Sequence, residues 1–313
     1  MKFYPKAIHV ILTLLALLLF WLAGQRLVKS PQAIILPPPV REFLGFKNLL
    51  PTPYPYPVNH YLFSLPPLSA KSVVVLDADS MAILYEKNPD ERLRPASTTK
   101  IMTALVALDY YSLDQVLTVG DFKVEGSVVG LKPGEKITVK NLLYGLLVSS
   151  GNDAAEVLGQ NYPGGMASFV ASMNEKARKL NLTGTHFTNS IGLDEAEHYS
   201  TAKDLARLSV AALKNSLFAQ IVSTPEIAMT DISGEMVHKL KNTNELIGQV
   251  DGVKGIKTGW TEEAGECLVT LEERANQRII IVLLGSHDRF GETKKIIDWV
   301  FANFTWESLA PAN

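Results

Sequence analysis

Ser97 and Lys100, in the stretch "RPASTTKIMTAL" (94–105), are three residues apart. On a helix that spacing puts two side chains on one face, about 5–6 Å from each other. The following residues, Ile101, Met102, Ala104, Leu105, Val106, Ala107 and Leu108, are apolar on every side. They predict a buried helix with a lysine in its first turn. A cation is disfavoured there, because the helix dipole is positive at that end. An ordinary lysine is neutral about once in 2500 molecules at pH 7, a cost of roughly 4.6 kcal/mol. Burial and the dipole both lower that cost, so the amine can accept the serine proton and make Ser97 a nucleophile. Taken alone, Ser97 reads more readily as a helix cap than as a nucleophile, and Ser-x-x-Lys occurs about once by chance in a chain this long.

The chain holds its own control. "STAK", 200–203, has the same pattern, but Thr201 and Asp204 form a capping pair and Lys203 aligns with Arg207 and Lys214 on a polar face. Lys100 has no such stripe. A second stretch, "LLVSSGNDAAEVL" (146–158), sets Ser150, Gly151 and Asn152 between two helical runs. Such a turn caps helices. It can also aim a hydroxyl and an amide into a cleft, Ser150 relaying a proton and Asn152 holding a substrate amide. A third, "GIKTGWTEEAGECL" (255–268), carries Lys257, Thr258 and Gly259. Without a Cβ at Gly259 a substrate backbone can approach the strand and pair with its edge, leaving Lys257 and Thr258 to meet a carboxylate. A glycine-rich hairpin with a solvated lysine is the plainer reading.

Around these residues, "KSVVVLDADSMAILYEKN" (71–88) predicts a β-hairpin. Helical patterns run from Ser97 to about Gln220. Strands return at "VKGIKTGWT", "GECLVTLEE" and "QRIIIVLLGS", and "ETKKIIDWVFANF" closes the chain as a helix. One antiparallel sheet built from both ends of the domain and flanked by helices, an α+β fold, satisfies this order. Of 313 residues 47% are hydrophobic, enough for a large core, and the net charge of −2 gives no electrostatic case for nucleic acid. Cys267 is the single cysteine, so no intrachain disulfide forms. The six histidines match no zinc-ligand spacing, and neither a metal nor a cofactor is expected.

Lys2 and Lys6 precede eighteen uncharged residues, Ala7 to Gly24, about 27 Å of helix. They predict export, with residues 1–29 an N-terminal membrane anchor or a cleaved signal; "WLAGQRL" is a poor cleavage site. Ten of the seventeen prolines fall between Pro31 and Pro67, so 30–70 reads as a linker, either extended or wrapped on the domain of 71–313.

Ser-x-x-Lys, Ser-x-Asn and Lys-Thr-Gly, in that order at 97, 150 and 257, resemble the signature set of penicillin-binding proteins and serine β-lactamases. With "HFTNSIGLDEAEHYSTAKDLARL" (186–208), the text from Ser72 to Phe304 resembles the low-molecular-mass D-alanyl-D-alanine carboxypeptidases. The resemblance implies a β-lactamase/transpeptidase-like fold with a helical subdomain and a serine acyl-enzyme mechanism on peptidoglycan stem peptides, inhibited by β-lactam antibiotics. It implies that Ser97 is the nucleophile, Lys100 its proton acceptor, and Ser150 and Asn152 the relay and amide contact. Lys257 and Thr258 would bind the terminal carboxylate. The backbone amides of Ser97 and Trp260 would form the oxyanion hole, and Arg289 either assists carboxylate binding or lies on the surface. A D,D-endopeptidase that cuts cross-links remains open, since the catalytic residues do not separate the two. A class A β-lactamase is disfavoured, because no Glu-x-x-Leu-Asn loop is present.

Overall fold

The computed structural model describes residues 13–19, 21 and 55–308. The chain divides into two units, 1–52 and 53–313. In the first, residues 13–19 and 21 are helical and exposed. No helix among the described residues is long and apolar enough to cross a membrane, and most of the expected anchor and linker lies outside them.

The second unit is built on a five-stranded antiparallel sheet. Its strands are β2 (Ser72–Asp77), β3 (Ile83–Lys87), β8 (Val253–Thr261), β9 (Gly265–Arg274) and β10 (Gln277–Ser286), in the order β3-β2-β10-β9-β8. β2 and the centres of β9 and β10 are buried on both faces, so they read as continuous apolar runs and not as alternation. Two hairpin connections, 72–87 and 265–286, hold the register (Ile281 opposite both Val75 and Thr270) and leave β8 at the edge.

On one face lie α1 (Lys100–Tyr110), α2 (Val139–Leu147), α3 (Asn152–Gln160), α4 (Gly165–Lys179), α5 (Ala202–Leu213) and α6 (Ser216–Val222). They share the larger core with Val74, Leu76, Val269 and Val282. α1 is the centre of that subdomain, buried from Lys100 to Ala107 as its unbroken apolar text requires. The other face packs α7 (Arg289–Asn303) through Ile296, Ile297 and Val300 against Val73, Val75, Ile279 and Ile281. Two-stranded ribbons β4–β5 (Val116–Thr118, Lys136–Thr138) and β6–β7 (Glu226–Thr230, Val237–Lys241) fill out the helical side.

Part of the proline-rich stretch wraps on the domain. β1 (Tyr56–Asn59) pairs with β11 (Phe304–Glu307), and Phe63 is tied by its backbone to Asn303 and Trp299. The Tyr61 and Phe63 rings stack on each other in solvent. At the control site Thr201 caps α5 by accepting from Asp204 N at 3.0 Å, and Lys203 pairs with Asp90 at 3.2 Å.

Candidate active site

Ser97 lies in a single 3-10 turn, Ala96–Thr99, and α1 begins at Lys100. Lys100 Nζ is 2.8 Å from Ser97 Oγ and donates to the Ile191 carbonyl at 3.1 Å. The side chain is fully buried. Burial first, then the charge of Lys257, hold its pKa well below the ordinary lysine value; Asp153 opposes them. A neutral amine has one lone pair, and the nearest hydroxyl is that of Ser97. The awkward position of the lysine is what frees that lone pair.

The turn is held from three sides. Thr98 Oγ1 donates to Pro95 O at 2.6 Å. His198 lies 2.9 Å from Thr99 Oγ1 through Nε2, and its Nδ1 accepts from Thr188 N at 3.1 Å, so the proton sits on Nε2 and is donated to Thr99. Burial pushes the His198 pKa down to about 4, which keeps that ring neutral. Thr103 Oγ1 donates to Ser190 O at 2.6 Å. The segment that supplies the Ile191 carbonyl is thereby fastened to α1. It is shaped by Asn189 Oδ1, which accepts from the amides of 191, 192 and 193.

Ser150 is buried and takes a left-handed backbone, φ 61°, rare for a residue with a side chain. Ala96, just before Ser97, does the same at φ 47°. Such strain persists only where the surroundings hold it, and it concentrates at functional sites. Asn152 opens α3, and its Nδ2 donates to Glu125 O. Its Oδ1 is buried with no hydrogen-bond partner, an acceptor available to a ligand N–H. Asp153 accepts from the amides of Val129, Gly130 and Leu131 and fixes that loop.

Lys257 and Thr258 are buried on edge strand β8. Lys257 Nζ donates to Thr258 O at 3.0 Å; burial first, then Arg289, push its pKa down to about 7. Thr258 Oγ1 is 2.6 Å from Thr243 Oγ1, and Thr243 N donates to Val148 O at 3.1 Å, so Thr243 couples the Ser150 turn to β8. A Cβ on Gly259 would lie 3.0 Å from Ser97 N. This glycine lets β8 seat against the Ser97 turn, a closer reason for its presence than the substrate approach read from sequence. The Trp260 indole is 63% exposed. Arg289 is half-buried at the start of α7 and donates to Gly259 O at 2.8 Å, beside Lys257 and not out on the surface.

The first and third motifs, 160 residues apart in sequence, meet where Gly259 backs onto Ser97, and Thr243 links the third to the backbone two residues before Ser150. Three contributors carried no legible signal. Ile191 acts through its carbonyl, Thr243 sits in an unremarkable "KNTN", and Asp153 reads as an ordinary cap residue. Asn189 before Ser-x-Gly did carry one, as an Asx turn. Among the described residues no group of three or more His, Cys, Asp or Glu could hold a metal ion.

Comparison with known proteins identifies the family and the fold. A family model for D-alanyl-D-alanine carboxypeptidase, peptidase S11, matches residues 61–288. The chain is 35% identical to the D-alanyl-D-alanine carboxypeptidase DacF of Bacillus subtilis, over 78% of this chain and 65% of that one, just under two thirds of its length. It is 34% identical to a D-alanyl-D-alanine endopeptidase of Pseudomonas aeruginosa, over 74% of this chain and 77% of that one. The crystal structure of the Streptomyces K15 DD-transpeptidase superposes with a TM-score of 0.73 at 34% identity, covering 77% of this chain and all of the other.

Proposed function

Because the chain belongs to the peptidase S11 family of serine-type D-alanyl-D-alanine carboxypeptidases, we propose that it removes the terminal D-alanine from peptidoglycan stem peptides. The observation that carries the reading is the fully buried Lys100 nitrogen, 2.8 Å from Ser97 Oγ. Neutral Lys100 takes the hydroxyl proton as Ser97 attacks the penultimate carbonyl. The amides of Ser97 and Trp260 receive the oxyanion. Ser150 passes the proton to the departing amine, and the carbon–nitrogen bond breaks. Water then hydrolyses the ester and restores Ser97. The unpartnered Asn152 Oδ1 accepts a substrate amide N–H. Lys257 and Thr258 bind the terminal carboxylate, with Arg289 reinforcing the positive field beside them.

β-Lactams would acylate Ser97 and block it. The enzyme would work on the outer side of the cytoplasmic membrane, with the apolar run from Ala7 to Gly24 as anchor or export signal. Incubation with a labelled penicillin and with a pentapeptide ending in D-Ala-D-Ala tests the reading. A covalent adduct at Ser97 with D-alanine release, both lost in Ser97→Ala, is expected. Rapid penicillin turnover without D-alanine would instead mark a lactamase.

A further inference from the structure

The loop that supplies the Ile191 carbonyl is fastened at a second place, to strand β8. That carbonyl lies 3.1 Å from Lys100 Nζ and 3.5 Å from Ser97 Oγ, so its position bears on both reacting groups. Three residues on, Asp194 Oδ1 accepts from Thr261 Oγ1 at 2.8 Å, across 67 residues of sequence. Thr261 Oγ1 accepts in turn from Ala264 N at 3.1 Å, which leaves its own hydrogen to the carboxylate. The other oxygen of Asp194 takes the amide of Glu263 at 3.4 Å. Both Asp194 and Thr261 are half-buried. Asp194 thereby holds the end of β8 and the turn after it. Arg94, three residues before Ser97, adds a second tie between the same segments. It donates to Glu263 Oε2 at 3.0 Å and to the Glu195 carbonyl.

Thr261 follows Trp260, whose backbone amide receives the oxyanion in the mechanism proposed above. Lys100 takes the proton of Ser97 while that amide meets the charge forming on the carbonyl oxygen. The step needs both groups in place at once, to within about 0.5 Å. They belong to separate segments: Lys100 leans on Ile191, and Trp260 lies on the edge strand of the sheet. We propose, on the acyl-transfer reading given above, that Asp194 is a positioning residue for the reaction: through Thr261 it fixes the Trp260 amide relative to the Ile191 carbonyl, and so to the Ser97–Lys100 pair. Position is the property that acts, and not charge. Burial, Lys257 and Asp153 set the Lys100 pKa, so loss of the Asp194 carboxylate leaves that titration in place. An amide oxygen at 194 still accepts from Thr261, so a neutral asparagine preserves the tie.

Variants of the full chain, acylated by labelled penicillin over a range of concentrations, test this by separating binding from chemistry. Asp194→Ala is expected to lower the limiting acylation rate about tenfold or more, because the oxyanion forms only during reaction. Its half-saturating concentration should stay within about threefold of wild type, and its pH limb should not move. Asp194→Asn is expected to acylate within about threefold of the wild-type rate. Thr261→Val removes the same bond from its other partner. It and the Asp194→Ala/Thr261→Val double variant should match Asp194→Ala and not multiply its loss. Arg94 still moors the loop in all of them, and rates taken per mole of Ser97 finally labelled leave misfolded molecules out. Unchanged acylation in Asp194→Ala would overturn the proposal. So would an Asp194→Asn protein as slow as Asp194→Ala, a shifted pH limb, or losses that multiply. If Asp194→Ala yields no protein that acylates, Thr261→Val decides alone: it is slow at unchanged half-saturation, or the proposal falls. A wild type that penicillin does not acylate would sink the acyl-transfer reading itself, a distinct result.

Discussion

At Lys100 the cost of burying an amine and the benefit of a free lone pair are one fact. Removal of the base predicts a loss of about a thousandfold or more in penicillin acylation for Lys100→Met. Rates for labelled penicillin measure it. Acylation needs the neutral amine, so the rate should rise with pH through the Lys100 pKa and then level off. Because that pKa is depressed, the rise should be complete well below pH 10.5. A limb near pH 10 would contradict the mechanism. Lys257 supplies part of the depression, so Lys257→Met should move the limb to higher pH.

The elements set these residues by close backbone approach, and glycine is the device. Gly192 has φ +89°, and a Cβ there would fall 1.9 Å from Ala96 O, in the turn that carries Ser97. Backbone cannot yield as a side-chain tip can. Gly192→Ala should therefore cost about 2 kcal/mol or more and displace the Ile191 carbonyl from Lys100. Thermal unfolding together with acylation rate checks both parts. Thr201→Ala, at the cap of α5, is the contrast. It should cost about 1 kcal/mol and leave acylation unchanged.

Across the whole molecule, two fully buried lysines and a half-buried arginine lie within electrostatic reach of one another in a nearly neutral protein. That suits an anionic substrate terminus and weakens the fold. Lys257 titrates near 7 when folded and near 10.5 when unfolded. Between those values the unfolded chain binds more protons, so stability rises with pH from about 7 to 10 and the penalty is complete below 7. Its full size is roughly 5 kcal/mol. Lys257→Met should raise the urea midpoint at pH 7 and flatten its rise toward pH 9.5, while Lys100 keeps part of the slope. Equal pH profiles for the two proteins would mean that Lys257 is charged in the folded state.

Periodicity and motif spacing were enough for the strands at 253–261, 265–274 and 277–286, for the buried helix after Ser97, and for the α+β class, because each depends on local apolar pattern or on turns between neighbours in sequence. The burial of Lys100 was legible for a similar reason: a lysine on an apolar helix contradicts its own surroundings, and the contradiction is visible in a line of text. The ribbons at 226–241 and the backbone groups that aim the reagents were not. Ile191 contributes a carbonyl that every residue has, and Thr243 acquires its role only where the Ser150 turn meets β8. Gly259 and Gly192 are explained by an atom that would collide with residues far away in the chain. Chemistry resides in side chains, which sequence names; placement resides in long-range contact between backbones, which only folding brings about.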